Sequence, residues 1–545
     1  MADSYLQRRE QMFPKLTPAL VAVVEHYGER RRLARDEIVF EVGDRNPDFM
    51  VVVSGRLQIE QPRDGGIDSI VVHEFNEFTG EVVMFSDRQS LVRGRALEPT
   101  EVIRVPHAVF QRMVGSHAEL GEILMRAFIL RRVGLIEQGQ SDVTLIGSSH
   151  SADTLRLRSF LSRNGYPHRY LDVERDEAAD AMLDRFAITA KDIPIVLCGA
   201  RMQRNPSNRE LADCLGISSV LEPDEVVDVA VIGAGPAGLA AAVYGASEGL
   251  HVVVVEGDAP GGQAGTSSKI ENYLGFPTGI SGQALAARAL TQAEKFGARM
   301  LVPRRAIGLT CLCQPYQIAL DDGTTLRARS IVIASGARYR KLDVSGFARF
   351  EGRGIYYGAT SIEARMCGGD EVVVVGGGNS AGQAAVFLAQ HARHVHILVR
   401  REGLAATMSR YLIDRIESSD RITLHPYAEV IGLGGDESLA HQRWRVGERE
   451  LDQPIKHIFV MIGAAPNSEW LQGCVQLDRH GFVCTGPLAE RDWPLERPRH
   501  LLETNRPRIF AVGDIRADSV KRVASAVGEG SMCIRFVHEV LDDAH

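Results

Sequence analysis

This 545-residue sequence contains two glycine-rich segments whose residue types and spacing are suited to nucleotide binding. Each segment directly follows a short apolar run that is rich in valine. The first is Gly233-Ala-Gly235-Pro-Ala-Gly238 after Val229–Ile232, and the second is Gly376-Gly-Gly378-Asn-Ser-Ala381 after Val372–Val375. Glycines at this spacing allow a tight strand-to-helix turn, in which backbone N–H groups at the helix start bind a pyrophosphate. The sequence therefore predicts two dinucleotide sites.

The residue that ends the second strand of each unit indicates which dinucleotide binds. His251–Val255 is followed by Glu256, whose carboxylate accepts hydrogen bonds from an unmodified ribose such as that of FAD. Val395–Val399 is followed by Arg400-Arg401, and guanidinium groups suit the 2′-phosphate of NADPH, which a carboxylate would repel. The alternative is that these arginines only face solvent. The pattern favours FAD at the first site and NADPH, rather than NADH, at the second.

A third element lies near the C-terminus, in Ile509-Phe-Ala-Val-Gly513-Asp514. A strand that ends in Gly-Asp lets the backbone and the carboxylate reach the ribityl chain and pyrophosphate of a flavin. The alternative is an ordinary strand-to-turn dipeptide. The flavin interpretation is favoured because the segment follows the second nucleotide unit, where a chain that returns to the first domain would place it.

Together these residues resemble the low-molecular-weight thioredoxin reductase family of flavoproteins, over nearly all of 226–545. Four further segments carry the resemblance: Gly261-Gly-Gln263, Ile270-Glu-Asn-Tyr273, Ile333-Ala-Ser-Gly336 and Gly463-Ala-Ala-Pro-Asn467. The resemblance implies an NADPH-dependent flavoprotein oxidoreductase with a split FAD domain at 224–340 and 465–545. It also implies an NADPH domain at 341–464, rotation between these domains during turnover, and a homodimer.

The resemblance further implies the residues that contact each cofactor. Those for FAD are Gly233, Gly235, Pro236, Ala237, Gly238, Glu256, Gly261, Gly262, Gln263, Asn272, Gly336, Gly513, Asp514, Arg522, Val523 and Ala524. Those for NADPH are Gly376, Gly378, Asn379, Ser380, Ala381, Arg400, Arg401 and Gly463.

One segment departs from the family in a way that changes the predicted chemistry. Where the family carries its redox-active C-A-T-C, this sequence reads Gly358-Ala-Thr-Ser361. A disulfide reductase needs a dithiol that takes electrons from the flavin, and both sulfurs are missing here. The acid that normally follows is Ile362, and Glu363, one position later, is a candidate proton donor near the flavin.

The eight cysteines form no C-x-x-C and no zinc-type spacing, so no metal site is predicted. They are typical of reduced cytosolic thiols that are buried as small apolar residues. Three are candidates to replace the missing dithiol: Cys367, and Cys311 with Cys313, which are expected on one face of a strand. Burial without a redox role is favoured for all three.

These features predict a reductase that transfers hydride from NADPH to FAD and then passes electrons to an external acceptor. Acceptors consistent with the sequence are a quinone, a ferredoxin- or flavodoxin-like protein, and dioxygen. Two alternatives stay open. One is a thioredoxin-disulfide reductase that uses unconventional cysteines, and the other is a redox-sensing scaffold that binds both nucleotides with negligible turnover.

The elements in front of the flavoprotein part form two further domains, at 1–138 and 139–223. In the first, Val51–Val53, the turn Ser54-Gly55 and Leu57–Glu60 predict a β-hairpin. Recurrent Gly/Asp turns favour a small barrel or β jelly roll, and Glu119–Arg132 is predicted as its closing helix.

This first domain resembles a cyclic-nucleotide-binding domain, through Gly43-Asp44, Phe49–Gly55 and Phe78–Phe85. The resemblance implies that Gly80 and Glu81 hold a cyclic nucleotide or a related effector. The arginine that pairs with the cyclic phosphate in the family is replaced here by Ser90 or Leu91, and Arg88 and Arg93 are candidate substitutes. Loss of a bidentate phosphate partner favours a degenerate pocket or an altered ligand. No helix-turn-helix follows, which argues against a transcription factor.

The second domain alternates strands and helices, which predicts a small α/β layer. Its strands are predicted at Val143–Ile146, Arg169–Val173 and Ile193–Cys198, and its helices at Ala152–Arg163 and Glu177–Phe186. It resembles a thioredoxin or glutaredoxin fold, which implies a cis-proline at Ile193-Pro194. Ser148-Ser-His150-Ser151 replaces the usual cysteines, Cys198 and Cys214 are poor substitutes, and a docking role is expected.

Composition excludes several classes of protein. A net charge of −8 argues against a nucleic-acid binder. The N-terminus has no apolar stretch long enough for a secretory signal, and glycines interrupt the long apolar run at 229–246. The sequence therefore predicts a multidomain protein of the cytoplasm, with no membrane segment. Its expected domains are a β jelly roll, a small α/β thioredoxin-like domain and two Rossmann-like α/β domains for FAD and NADPH.

Overall fold

The computed structural model describes residues 10–63, 66–80, 82–85, 89–137, 143–176, 193–198, 201–222, 224–267, 270, 272–359, 361–489 and 493–542. These residues divide into two compact units. The first contains Met1–Glu225, Gly245–Asp258 and Thr291–Arg305, and the second contains Val226–Tyr244, Ala259–Leu290 and Ala306–His545.

The described residues of the first domain contain seven strands and three α-helices. They are α1 (Pro18–Tyr27), β1 (Glu29–Leu33), β2 (Ile38–Phe40), β3 (Phe49–Ser54), β4 (Leu57–Arg63), β5 (Gly66–His73), β6 (Arg93–Ala96), β7 (Thr100–Val105), α2 (His107–Ser116) and α3 (Ala118–Glu137). The strands form two sheets, in the orders β1-β7-β3 and β2-β6-β4-β5. Phenylalanines 49, 78, 85, 110 and 128 are fully buried between the first sheet and the helices. The assignment of a jelly roll stays a prediction.

The two strands predicted as a hairpin are present but lie in different sheets. Strand β3 pairs with β7, whereas β4 pairs with β5 and β6. Between them Gly55 has a φ of +82°, and a Cβ atom added there would lie 2.5 Å from Thr100 Oγ1. The hairpin prediction is therefore wrong, because the glycine marks a corner between two sheets.

The second domain has a four-stranded sheet. Its elements are β8 (Val143–Gly147), α4 (Ala152–Arg163), β9 (Arg169–Asp172), β10 (Ile195–Cys198), β11 (Arg201–Arg204) and α5 (Asn208–Leu215). The strand order is β11-β10-β8-β9, with β8 and β9 parallel and β10 antiparallel to both of its neighbours. The Ile193–Pro194 peptide bond is cis. The predicted helix at Glu177–Phe186 lies outside the described residues, and the thioredoxin fold stays a prediction.

The flavoprotein part begins with the predicted strand–turn–helix. Its first elements are β12 (Val226–Ile232), α6 (Pro236–Ser247), β13 (Val252–Val255), α7 (Gly282–Lys295), β14 (Arg299–Leu301), β15 (Ala306–Thr310), β16 (Tyr316–Leu320), β17 (Thr325–Ile333) and β18 (Ala337–Tyr339). In the first unit, β13 and β14 are parallel. In the second unit, β17 is parallel to β12 and antiparallel to β16, which pairs with β15.

The segment predicted to bind NADPH forms a second parallel sheet. Its elements are α8 (Phe347–Phe350), β19 (Ile355–Tyr356), α9 (Ser361–Met366), β20 (Glu371–Val375), α10 (Asn379–Leu388), β21 (His394–Leu398), α11 (Arg410–Glu417), β22 (Ile422–His425), β23 (Ala428–Gly434), β24 (His441–Val446), β25 (Arg449–Gln453), β26 (His457–Val460) and β27 (Ala464–Pro466). The order β19-β26-β20-β21-β22 is parallel throughout, and β23–β25 form a separate antiparallel sheet. Continuous valine runs such as Val372–Val374 are fully buried, as expected for strands covered on both faces.

The chain then returns to the sheet of β12. Strand β28 (Ile509–Ala511) pairs in parallel with β17, and the long helix α12 (Val523–Asp542) follows it. Among the described residues, no helix combines the length and the apolar character needed to cross a membrane. No group of side chains suited to a metal ion occurs within the described ranges.

Candidate functional site

The first glycine turn joins β12 to α6 in the second unit. A Cβ atom added at Gly233, where φ is +109°, would overlap the carbonyl oxygen of Ala334, and one added at Gly238 would overlap that of Gly233. At Gly235 the nearest atom to such a Cβ is the Gly262 Cα, 3.9 Å away. Gly233 and Gly238 are therefore needed for close packing, whereas Gly235 leaves the backbone open. This arrangement fits a bound pyrophosphate.

Two other predicted FAD residues of the second unit, Gly261 and Gln263, bond to the loops after β12 and β17. Gly261 N–H donates to Ala234 O at 2.7 Å, and Gln263 Nε2 donates to Ala337 O at 2.5 Å. Gly336 has a φ of +62°, and no atom lies within 4 Å of a Cβ added there. The loops after β12 and β17 thus meet at one edge of the sheet, as the sequence predicts for a flavin site. Asn272 is exposed.

The Gly-Asp turn after β28 lies against the start of α6. A Cβ atom added at Gly513 would lie 2.9 Å from the Ala237 Cβ. Burial raises the pKa of the Asp514 carboxyl. Strand β28 and helix α6 therefore bring together two predicted FAD segments that are more than 270 residues apart in the sequence.

Two charged side chains that the sequence analysis missed hold the Gly-Asp turn. Glu529 of α12 accepts a hydrogen bond from Gly513 N–H at 2.6 Å and pairs with Arg516 at 2.5 Å. Lys521 Nζ donates to the Asp514 carbonyl oxygen at 2.8 Å. Glu529 lies between two glycines, at 528 and 530, and this pattern in the sequence could have identified it as a candidate functional residue. Arg522 and Ala524, at the start of α12, are exposed, and Val523 is half-buried.

Glu256 follows β13 in the first unit and is half-buried. Its N–H donates to Leu301 O at 3.0 Å, and its Oε1 accepts a hydrogen bond from Asp258 N–H at 2.9 Å. The carboxylate is thus oriented by the turn that follows it.

The second glycine turn, between β20 and α10, repeats the features of the first. A Cβ atom added at Gly376, where φ is +139°, would overlap the Met461 carbonyl oxygen, whereas at Gly378 the nearest atom is Thr407 O at 3.9 Å. Asn379 Oδ1 accepts a hydrogen bond from Ser409 N–H at 2.7 Å. Ser380 is exposed, Ala381 is buried, and Gly463 has open space where a Cβ would lie. This turn also fits a pyrophosphate.

Arg400 and Arg401 follow β21 and are exposed. Their side chains make no hydrogen bond or ion pair with the part of the chain that the structure describes. Two guanidinium groups without a protein carboxylate, beside the end of the second strand, are suited to a phosphate ligand.

The segment at the position of the family dithiol begins beside the loop that contains Gln263 and Thr266. A Cβ atom added at Gly358 would lie 3.4 Å from both Cβ and Oγ1 of Thr266, three residues after Gln263. Ser361 is the first residue of α9, and Thr360 lies outside the described residues. The position of the first missing sulfur therefore faces a loop predicted to bind FAD.

Glu363 and Cys367 both lie beside Tyr356, in the segment predicted to bind NADPH. Burial, followed by the charge of Glu363, raises the pKa of the Cys367 thiol, and the Cys367 side chain is fully buried. Burial also raises the pKa of Tyr356. Because a redox-active cysteine needs an accessible thiolate, Cys367 has the character of a buried apolar residue.

Two cysteines form a disulfide that the sequence analysis did not anticipate. Cys311 is bonded to Cys474, with 5.9 Å between their Cα atoms. Strand β15 ends at Thr310, so Cys311 and the exposed Cys313 lie in the following turn. The prediction of uniformly reduced thiols, and of a strand that carries both cysteines, is wrong. The partners are 163 residues apart, so their spacing shows no motif.

In the front domain, the arginines near the predicted effector pocket are paired with acids. Arg93 lies 2.8 Å from Glu41 and 3.6 Å from the fully buried Glu60, and Arg95 lies 2.9 Å from Glu60. Ser90 is buried and donates its hydroxyl to Val92 O at 2.9 Å. Arg93 therefore does not offer a free guanidinium to a phosphate.

The remaining predicted residue of that pocket, Gly80, has another partner. Its carbonyl oxygen accepts a hydrogen bond from Arg131 Nη1 at 2.7 Å, and the Arg131 guanidinium lies 4.7 Å from the Phe78 ring centroid. Glu81 and Arg88 lie outside the described residues.

In the second domain, the loop that replaces the cysteines contains a small polar cluster. Ser148 Oγ donates to Glu174 at 2.5 Å, and His150 Nε2 lies 3.4 Å from the same carboxylate. An activated serine nucleophile would donate its hydrogen bond to the histidine ring, whereas the Ser148 hydroxyl donates to the Glu174 carboxylate. His150 is exposed, as expected for a polar loop residue.

Comparisons with known proteins identify two family matches in the chain. Residues 227–530 match the family described as Pyridine nucleotide-disulphide oxidoreductase, and residues 30–117 match the Cyclic nucleotide-binding domain. The NADPH-dependent thioredoxin reductase 3 of Arabidopsis thaliana is 32% identical over 352 residues, which are 61% of this chain and 63% of that protein. The thioredoxin reductase of Mycoplasmopsis pulmonis is 30% identical over 313 residues, 57% of this chain and 96% of that protein.

A solved structure shows the same fold over the same part. The crystal structure of Lactococcus lactis thioredoxin reductase, in its FR conformation, aligns with a TM-score of 0.53 and 26% identity. The alignment covers 58% of this chain and 99% of the Lactococcus chain. The chain spans less than two thirds of the Arabidopsis relative.

Proposed function

Because the chain belongs to the pyridine nucleotide-disulphide oxidoreductase family, we propose that it passes electrons from NADPH through FAD to an external acceptor, without a disulfide at the family position. It is an NADPH-dependent flavoprotein oxidoreductase of the thioredoxin reductase-like type, with FAD and NADPH as cofactors. The observation that carries the proposal is the segment Gly358-Ala-Thr-Ser361, which contains no sulfur.

The residues of the chain bind and orient the two cofactors. Bound FAD would supply the chemistry of a two-electron carrier that accepts hydride from NADPH and releases electrons to the acceptor. The turn at Gly235 and the loop at Gln263 would hold the pyrophosphate and the flavin, and Asp514 the ribityl chain. Gly378 would hold the NADPH pyrophosphate, and Arg400 with Arg401 its 2′-phosphate.

We extend the proposal to the domain arrangement. The FAD domain comprises 224–340 and 465–545, the NADPH domain comprises 341–464, and the active form is a cytoplasmic homodimer through the FAD domain. Glu363 supplies a proton near the flavin. The Glu363→Gln variant would then lower turnover more than it lowers NADPH affinity, and equal turnover in variant and wild type would reject this role.

The cyclic-nucleotide-binding domain is proposed to have a degenerate pocket or an altered ligand. The pairing of Arg93 with Glu41 and Glu60 supports this, since a phosphate would have to displace two carboxylates. Equilibrium binding of cyclic AMP and cyclic GMP to the full chain tests it. Micromolar affinity for either nucleotide would overturn the proposal.

The decisive experiment for the main proposal is an anaerobic titration with NADPH. We expect one NADPH to reduce each FAD completely, because no dithiol at 358–361 takes a further electron pair. The reduced protein is then mixed with a panel of a thioredoxin disulfide, quinones, ferredoxin, flavodoxin and dioxygen. Fast reoxidation by a quinone or a carrier protein, with slow reoxidation by the disulfide, is the expected result.

Two other outcomes identify the alternatives. Rapid turnover with the thioredoxin disulfide, lost in Cys474→Ser or Cys367→Ser, would establish a disulfide reductase with unconventional cysteines. Tight binding of both nucleotides with almost no turnover toward any acceptor would establish a redox-sensing scaffold.

A further inference from the structure

Asp258 closes the turn that carries Glu256, and it lies against the second domain. One end of each of two helices in that domain lies near Asp258: α4 ends at Arg163, and α5 begins at Asn208. All these residues belong to the first compact unit. Asp258 is therefore a contact between the second domain and the segment that carries the predicted ribose ligand of FAD.

Three side chains of the second domain hold Asp258, and we call this set the Asp258 clamp. Arg163 forms an ion pair with the Asp258 carboxylate. Asn164 Nδ2 donates to the Asp258 carbonyl oxygen at 3.3 Å, and Asn208 Nδ2 lies 3.4 Å from Oδ1. Asn208 is the first residue of α5, so the positive end of the helix dipole lies on the side of the Asp258 carboxylate.

A hydrogen bond joins the clamp to Glu256. Asp258 N–H donates to Glu256 Oε1 at 2.9 Å, so fixing the Asp258 backbone also orients the Glu256 carboxylate. The backbone of Glu256 is held separately, by Leu301 O at 3.0 Å and by Arg304 N–H at 2.8 Å. Asp258 therefore contributes to the orientation of the carboxylate, and the contacts with Leu301 and Arg304 fix the Glu256 backbone.

Hydrogen bonds and an ion pair also join the second domain to β14 and the residues that follow it. These contacts restrict the movement of the domain that carries the clamp. Ser219 N–H donates to Met300 O at 2.8 Å, and the Ser218 hydroxyl accepts a hydrogen bond from Val302 N–H at 3.2 Å. Arg304 pairs with Asp213 of α5 at 3.3 Å. These contacts hold α5 against the strand beside β13.

We propose that the second domain positions the FAD ribose ligand: Arg163, Asn164 and Asn208 hold Asp258, and Asp258 orients Glu256. The inference rests on the FAD site proposed above and gives a role to a domain whose loop lacks the cysteine pair. A ligand-binding turn that is ordered before binding avoids the entropy cost of becoming ordered on binding. FAD affinity thus depends on a domain outside the nucleotide-binding fold.

Two variants of the full chain test the clamp. Asp258→Asn removes the charge that Arg163 pairs with, and Arg163→Met removes the guanidinium but keeps the apolar stem. We expect each to raise the Kd of the FAD-free protein for FAD by about tenfold, which corresponds to about 1.4 kcal/mol. The double variant should bind no more weakly than the weaker single variant, because both changes break one contact.

The matched control is Asp452→Asn, which breaks an exposed ion pair with Arg443 (3.1 Å) in the antiparallel sheet β23–β25. It should leave FAD affinity unchanged, and all variants should keep the NADPH affinity of the wild type. Equal FAD affinity of wild type, Asp258→Asn and Arg163→Met would overturn the inference. Failure of the wild type itself to bind FAD would reject the proposed function instead.

A second measurement needs no variant. Binding equilibria are reciprocal, so FAD should also stabilise the clamp when it binds. Hydrogen exchange of the wild-type chain, with and without FAD, should show slower exchange of the amides at 160–164 and 208–212. Unchanged exchange there, with slower exchange in the glycine turn after β12, would overturn the inference even if the variants do not fold.

Discussion

At the scale of single residues, we propose that Arg400 and Arg401 give the protein its preference for NADPH over NADH. Both are exposed, and neither side chain is paired within the described ranges. We expect Arg400→Ala with Arg401→Ala to raise the KM for NADPH at least about tenfold, since each tenfold is about 1.4 kcal/mol and charged hydrogen bonds are worth that much or more. The KM for NADH should change little.

Steady-state kinetics with both nucleotides measures this preference. Arg443→Ala, which removes an exposed arginine of the same domain, is the control. A parallel loss with NADPH and NADH would show that the two arginines do not read the 2′-phosphate.

The Cys311–Cys474 disulfide predicts how many cysteines of the chain react with a thiol reagent. Six cysteines are free among the eight of the chain, so six should react with a thiol reagent in the denatured, unreduced protein. All eight should react after reduction, and Cys474→Ser should expose seven reactive thiols before and after reduction. Eight reactive thiols in the unreduced wild type would contradict the disulfide.

At the scale of elements, each strand–turn–helix unit contains glycines that pack closely and a glycine with open space beside it. Gly233→Ala should lower the free energy of unfolding by about 1–3 kcal/mol, because the added Cβ meets the Ala334 carbonyl at a positive φ. Gly235→Ala should leave stability near that of the wild type but reduce the amount of bound FAD, because its Cβ enters open space. Thermal unfolding and flavin content test both.

A similar loss of stability in both variants would show that Gly235 is also a packing residue. The corresponding pair in the second unit, Gly376→Ala and Gly378→Ala, should repeat the pattern with NADPH in place of FAD. The difference between the two glycines of each pair arises from where each one lies in the turn.

The strands and helices of these units were predictable from the sequence. The observed strand β20, Glu371–Val375, begins only one residue before the predicted Val372–Val375, because valine runs and glycine turns are local signals. The pairing of β3 and β4 with other strands was not predictable. A two-residue connection between strands has the same local sequence at a hairpin and at a corner between sheets.

At the scale of the whole molecule, buried histidines make stability depend on pH. Burial lowers the pKa of five histidines, at 73, 168, 396, 425 and 457. For His73 the pKa falls from 6.5 to about 4. Since the unfolded chain binds protons more readily, stability is complete above pH 6.5 and is lost as pH falls toward 4.

His73 alone should cost about 2 kcal/mol between pH 7 and pH 5, because a pKa difference of one unit is about 1.4 kcal/mol. The other four histidines act in the same direction. Urea unfolding of the full chain at pH 7 and pH 5 measures the effect, and an unchanged midpoint would contradict it. Buffers of equal ionic strength keep the surface ion pairs comparable.

The sequence by itself determined the nucleotide chemistry, because a dinucleotide site is made by a glycine turn and the residue that ends the next strand, all within about thirty residues. It also determined that Gly358 and Ser361 cannot form a disulfide. Only the tertiary structure decided which distant residues meet: Cys311 with Cys474, Arg93 with Glu41, and Asp258 with the second domain. Contacts of this kind join chain segments far apart in sequence, and neither spacing nor periodicity records them.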